Sequence, residues 1–229
     1  MNIELKINTI SKKRCTLTSI VDNRSKSLRE DFHLLRNDFE AVGKWEIPLI
    51  KKCEVDVRGI KLLPVDHVRI KAKLEDIFKT VHFFAEDKKL ERYYNKPEKY
   101  IERLAQYKNV LTPDYSVYAD MPLTIQLYNT FKNRWLGAYW QYHGLSVIPT
   151  ISWGEQVSFD FCFDGVEYGS VVAISTLGNR KSKKPFLDGY FEMKKRVNPQ
   201  QVLCFGDGFP EMEEEVICIS YLKTTRRSG

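Results

Sequence analysis

A single α/β domain with a mostly parallel sheet is the fold class this sequence predicts, and three observations predict it. Short β-branched runs such as GSVVAIST (169–176) and LSVIPTIS (145–152) recur along the chain. Segments with helical apolar spacing separate them. Polar Asp-, Ser- and Gly-containing turns follow the strands. Strands alternating with helices imply parallel pairing through right-handed crossovers. Eight strand candidates between Ile47 and Tyr221 suit a compact or distorted (β/α) TIM-barrel-like fold, with an open doubly wound sheet as the alternative.

Residues 1–26 are basic and rich in Ser, Thr and Asn, and read as an N-terminal extension or peripheral hairpin; 27–222 form the domain and 223–229 a flexible tail. Residues 27–42 place Leu28, Phe32, Leu35 and Phe39 near helical spacing, with Gly43 as a stop. Short strands are expected at 47–50 and 60–63, while 65–79 fits either helix or ordered loop. Next come a strand at 80–84, a helix at 96–107 with Pro97 in its first turn, and a strand at 109–112. The longest helix spans 121–143, with Asp120 as its N-cap and Gly144 as a left-handed C-cap beside His143. Its stripe of Leu123, Leu127, Phe131, Trp135 and Tyr139 reads as core. Residues 157–163 fit a strand by alternation or a short helix by their place between two strands. A helix at 185–197 and strands at 201–206 and 215–221 complete the series.

The 229 residues are 43% hydrophobic, enough for a sizeable core. A net charge of +6 permits anionic ligands but lacks the dense basic stripe of a dedicated duplex binder. No window approaches a membrane span or a signal peptide, so a soluble protein of the cytoplasm is expected, with no membrane partner. The five cysteines form no CxxC and match no zinc module. Nucleotide-loop, hydrolase-elbow and metalloprotease motifs are absent.

Candidate chemistry lies where strands end, because ligands of parallel sheets bind beyond the carboxyl ends. His82 and Asp87, then Asp114 and Ser116, then Ser152, Trp153 and Glu155, then Ser175, then Asp207 follow successive strands. Turn and cap chemistry alone would also place Asp and Ser there. Asp114, Asp120 and Asp87 are the candidate catalytic carboxylates, able to divide acid and base roles if burial separates their pKa values. Such groups suit glycosidic or N-glycosidic cleavage, or Mg²⁺ held on a phosphate. Ser116, Gln126, Asn129, Arg134, Trp153, Ser175 and Asp207 are candidate ligand-binding residues. The amides of Gln126, Asn129 and Asn133 share one helix face, which meets either solvent or the neighbouring polar turn. The basic loop 179–184 could attract phosphate, partly offset by the acidic run 211–215.

Several long segments carry a resemblance: IPLIKK (47–52), VHFFAED (81–87), residues 95–122, residues 126–153, SFDFCFDG (158–165) and SVVAISTLG (170–178). In these the chain resembles the uncharacterised family known as domain of unknown function 4417, over roughly residues 35–220. The resemblance implies a phage or prophage origin and a role in replication, takeover or conflict with host defence. It also implies that Asp114, Ser116, Asp120, Gln126, Asn129, Arg134, Trp153 and Gly165 recur in the family, with no chemical role assigned to any. A polar site for a nucleotide or a related phosphorylated or glycosylated ligand is the leading expectation. The alternative is a non-enzymatic protein that sequesters a signalling nucleotide or binds host protein or nucleic acid. Cofactor and oligomeric state are not legible.

Overall fold

The computed structural model describes residues 36–178, 182–212 and 216–220. By its internal contacts the chain divides into residues 1–36 and 37–229. The second unit contains every strand and helix among the described residues. The N-terminal extension, most of the helix expected at 27–42 and the tail lie outside the described residues.

Strands β1 (Ala41–Val42) and β2 (Ile47–Pro48) form an antiparallel hairpin. The part of 27–42 that is described is therefore not helical. Gly43, at φ +71, turns the chain back, and Phe39 packs on the Trp135 ring at 5.8 Å.

The remaining strands are parallel. β3 (Leu62–Pro64), β4 (Thr80–His82), β5 (Asn109–Leu111) and β6 (Val147–Ile148) form one sheet in sequence order. β7 (Val171–Ser175), β8 (Gln201–Phe205) and β9 (Val216–Ile219) form another. Pro149 explains the division, because a residue without an N–H interrupts the ladder after Ile148. The chain bridges the gap at once: Ala173 donates to the Pro149 carbonyl at 2.8 Å, and Ile151 donates to the Ala173 carbonyl at 2.8 Å.

This combined sheet is strongly curved. β4 and β8 are four positions apart, about 19 Å in a flat sheet. Yet the His82 and Phe205 rings lie 5.0 Å apart, and Phe84 stacks on Phe205 at 4.2 Å. Alternate residues fill the concave side: Leu62, Leu111, Ile148, Val171, Ala173, Leu203 and Phe205, joined by Val57 from the irregular segment before β3. Their neighbours Val172, Ile174, Val202 and Cys204 face the other way. Of the expected compact or distorted TIM-barrel-like fold, the parallel strands and their curvature are found but closure is not, since no ladder among the described residues joins β3 to β9. The fold is α/β with parallel strands and helical crossovers.

The connections carry four α-helices among the described residues. α1 (Asp87–Asn95), not anticipated from the sequence, buries Leu90, Tyr93 and Tyr94 at helical spacing. The helix expected at 96–107 is a 3₁₀ turn, Pro97–Tyr100, followed by the short α2 (Ile101–Leu104). Residues 65–79 hold a 3₁₀ turn, Val65–His67, and otherwise loop. Of the two readings of 157–163, the short helix holds: a 3₁₀ turn runs over Gln156–Asp160, and the Ser158 hydroxyl donates to the Glu155 carbonyl at 2.7 Å. Between these lies α3 (Leu123–Tyr142), and α4 (Lys183–Val197) packs Phe186, Leu187, Tyr190 and Met193 against the β7–β8 face.

Helix α3 departs most from expectation. Asp120 does not cap it. Pro122 stands at the cap, and its carbonyl accepts from Ile125 and Gln126 at 2.9 and 3.1 Å, so Asp120 falls two residues too early. Leu123 is 42% exposed, whereas Gln126, Asn129, Asn133 and Arg134 are buried. The amino-terminal half of α3 thus turns its polar stripe inward. Gly144, at φ +81, ends the helix as expected: Gly144 and Leu145 donate back to the Gln141 and Trp140 carbonyls at 2.9 and 3.0 Å. His143 packs on the Tyr139 ring, and burial lowers its pKa, which works against a cationic role at the helix end.

Candidate functional site

A cavity of about 1110 Å³ opens at the carboxyl ends of β4 to β8. Asp87, Asp114, Ser116, Asp120, Trp153 and Ser175 of the candidate residues line it, together with Ser152 and Glu155. Gln126, Asn129, Arg134 and Asp207 are not in its wall. The first three stand behind it on α3 and hold the wall in place. Asp207 lies in the turn after β8, where its carbonyl accepts from the Thr176 hydroxyl at 2.8 Å.

Asp114 comes first because Thr112 and Pro113 follow the end of β5 and project the next residue past the sheet. Its N–H reaches the Phe83 carbonyl at 3.4 Å, and the Ser152 hydroxyl donates to its Oδ1 at 2.5 Å. The residue is half-buried and opens onto the cavity. Burial raises its pKa to about 6; the Ser152 hydrogen bond opposes the shift and the neighbouring Asp87 charge adds to it. Asp87, in the first turn of α1, has a different task. Its carboxylate accepts the Ser116 N–H at 3.1 and 3.2 Å and the Ser116 hydroxyl at 3.0 Å. Three bonds to one residue make Asp87 an anchor for the loop that carries Asp114.

The inward polar stripe of α3 completes that anchoring. Asn129 donates to the Ser116 carbonyl at 2.7 Å, and Gln126 to the Met121 carbonyl at 2.8 Å. Asn133 bridges two strand ends, donating to the Pro113 carbonyl at 2.7 Å and the Thr150 carbonyl at 3.1 Å. These carbonyls belong to the segments that deliver Asp114 and Ser152. The Thr112 hydroxyl, in turn, donates to Asn133 Oδ1 at 3.0 Å. Arg134 donates to the Thr150, Cys162 and Asp164 carbonyls at 2.9, 2.9 and 3.0 Å. Burial lowers its pKa to about 10, which leaves the guanidinium charged at neutral pH.

The opposite wall is aromatic. Phe84, Phe186 and Phe205 line it with Trp153, which packs on Phe186 at 5.0 Å. Sequence reasoning missed these three phenylalanines, because an apolar residue at a strand end, as Phe84 and Phe205 are, or on a helix's buried face, as Phe186 is, looks like ordinary core. Tyr115 lines the carboxylate side; its hydroxyl donates to the Leu90 carbonyl at 3.2 Å, and the Lys132 ammonium sits 4.2 Å over its ring. Trp153 owes its position to Gly189 of α4, where an added Cβ would come within 2.1 Å of the indole Nε1. Gly189→Ala is therefore expected to displace Trp153 and reshape the cavity. A change in tryptophan emission, with any gain in helix propensity of about 1 kcal/mol offset by the clash, would show it. An unaltered emission spectrum and melting curve would argue against a fixed Trp153.

Among the described residues no histidine lines the cavity. His82 is buried, accepts the Phe84 N–H at 3.4 Å through Nδ1, and has its pKa lowered by burial to about 4, so it stays neutral. Ser116 and Ser175 thus have no histidine base beside them in the wall. Among the described residues no group of three or more His, Cys, Asp or Glu converges as a metal site would require. Of the basic loop, Asn179, Arg180 and Lys181 lie outside the described residues. Lys183 pairs with Glu211 at 2.7 Å and Lys184 with Asp188 at 2.9 Å. Among the described residues no helix is long and apolar enough to cross a membrane.

The chain has relatives among known proteins. The family model described as Domain of unknown function (DUF4417) matches residues 39–222. The chain is 38% identical over 183 residues to the Gene 1 protein of Mycobacterium phage L5, covering 75% of this chain and 76% of that protein. It is 40% identical over 129 residues to the Gene 1 protein of Mycobacterium phage D29, covering 55% of this chain and 48% of that one. No solved structure matches.

Proposed function

The chain belongs to the family described as Domain of unknown function (DUF4417), with relatives in phages, and from that premise we propose that its cavity binds a nucleotide or a related glycosylated ligand and that Asp114 acts on it as acid and base. The observation that carries the reading is Asp114 itself, a carboxyl with pKa raised to about 6 in the wall of a roomy cavity faced by Trp153 and three phenylalanines. Aromatic faces suit a base or sugar ring, and the carboxyl and hydroxyls suit its polar edge. Near neutral pH such a group exchanges its proton readily, as hydrolysis or glycosyl transfer requires. Because Ser116 occupies Asp87, Asp114 carries the proton while Asp87 positions it.

The described lining includes the carboxylates of Glu86, Asp87, Asp114, Asp120 and Glu155, which favours the nucleoside or sugar portion of a ligand over its phosphate. The curvature and sequence-ordered parallel strands support a barrel-like (β/α) scaffold, on which a site at the strand ends is the usual arrangement. We place its action in the cytoplasm of a phage's host.

A second reading, a non-enzymatic interaction protein, is favoured by a different observation. Ile70 and Leu74 are 77% exposed and Phe78 is 71% exposed on one loop, away from the cavity. One panel separates the two. Thermal shift with nucleosides, nucleotides, sugar phosphates, Mg²⁺ and short DNA and RNA, at low and high salt, is expected to show a salt-tolerant rise with a nucleoside-containing small molecule. A shift only with nucleic acid, lost at high salt, or none at all, would move the assignment to the interaction reading. Pull-downs from host lysate would then be the next measurement.

A further inference from the structure

We infer that Cys204 and Cys218 form a two-thiol site on the β8–β9 ribbon that a small-molecule disulfide converts to a reversible intramolecular disulfide. The two residues are Cα partners in the parallel register. Adjacent strands run about 4.8 Å apart, inside the range of about 4.4–6.8 Å that disulfide Cα atoms occupy. Both thiols are free, and the neighbouring Cys218 thiol adds to the upward shift of Cys204. The Cβ atoms must still close to about 3.8 Å. β9 permits that, because among the described residues it pairs on one side only.

The pair is asymmetric. Cys204 is fully buried, with its Sγ 3.8 Å from the Thr176 hydroxyl, whereas Cys218 is exposed. Burial pushes the Cys204 thiol up to about 12, so the first attack falls to Cys218. The Cys218 thiolate attacks one sulfur of glutathione disulfide and releases one glutathione. Cys204, giving up its proton, then attacks Cys218 Sγ and releases the second glutathione. The protein loses two hydrogens, and one glutathione disulfide becomes two glutathione thiols. The other described cysteines are placed differently. Cys162 is buried in the helix-side core, its Sγ 4.0 Å from the Ser158 hydroxyl, and Cys53 accepts from Gln141 at 3.0 Å. The link would lie one residue from Phe205 in the cavity wall, with Cys218 packed beneath Gly208.

The test is mass spectrometry of the full chain after glutathione disulfide treatment, acid quench and alkylation. The expected result is a Cys204–Cys218 linked peptide that dithiothreitol reverses and that Cys218→Ser abolishes. Cys218 is exposed, so that variant should fold. Cys204→Ser is expected to trap glutathione on Cys218. Wild-type protein in which both cysteines remain alkylated, or in which Cys218 keeps glutathione while Cys204 is alkylated, would overturn the inference.

Discussion

Asp114→Asn is expected to melt higher than the wild type at pH 8 and to lose the function of the cavity. The carboxyl has a folded pKa of about 6 against an ordinary value of 3.8, so the folded state holds this proton more tightly than the unfolded chain. Stability from that preference is fully present below about pH 4 and is lost as pH rises through about 6. Above that window the fold carries an ionised carboxylate that burial disfavours. The full shift would correspond to about 3 kcal/mol, and access to cavity water reduces it to about 1–2 kcal/mol. Asparagine keeps an oxygen to accept the Ser152 hydroxyl and removes the charge. The variant should therefore gain about 2–4 °C in Tm per kcal/mol at pH 8, with the gain fading toward pH 4. Turnover, or affinity for the ligand found by thermal shift, should fall at every pH. A variant with equal Tm across pH 4–8 would mean that Asp114 is solvated and titrates normally. Unchanged ligand affinity and turnover would remove it from the site.

That prediction rests on a residue the sequence made visible, and the reason is physical. Asp114 follows Asn-Val-Leu-Thr-Pro, a strand that a proline must end, and in a parallel sheet the residue after such an end faces the ligand side. Ser116, Trp153 and Ser175 were legible by the same rule. The strands were legible because Val171 to Ile174 and Val202 to Cys204 are apolar on both faces, the mark of a covered parallel sheet. What was not legible depended on partners distant in sequence. Helix α1 reads DKKLERYYN, too polar to suggest a buried face until Tyr93 meets Phe83 and Tyr94 meets Tyr128 and Trp135 of α3. The amides of α3 would be equally at home in water, so only the Pro113, Ser116 and Thr150 carbonyls decide that they face inward. Whether a curved sheet closes depends on its two edge strands, and no local pattern in β3 or β9 carries that information.

Arg134→Met is expected to cost about 3–5 kcal/mol of stability. Buried arginines are often judged against a hydrophobic replacement that removes both charged partners, and then the exchange can be neutral. Here the partners are main-chain carbonyls of Thr150, Cys162 and Asp164, which no side-chain substitution removes. Methionine would fill part of the space and leave the Cys162 and Asp164 carbonyls without this donor, each costing about 1–3 kcal/mol if left dry, while the Thr150 carbonyl keeps Asn133. Lysine would keep the charge but not the planar fork that reaches all three, so Arg134→Lys should fall between wild type and Arg134→Met. Local geometry leaves little room for adjustment. Gly165, at φ +74, sits so close that an added Cβ would meet Arg134 Cγ at 3.0 Å. The functional consequence follows from Asn133, which accepts from the Arg134 guanidinium and bridges the strand ends bearing Asp114 and Ser152. At a temperature where Arg134→Lys is still folded, its ligand affinity should be lower than wild type, because the Asp114–Ser152 pair is no longer held at fixed spacing. Denaturant unfolding of the three proteins, read beside ligand titration, checks both parts. If Arg134→Met unfolds within about 1 kcal/mol of wild type, water has replaced the guanidinium, and the α3 stripe does not set the geometry of the cavity.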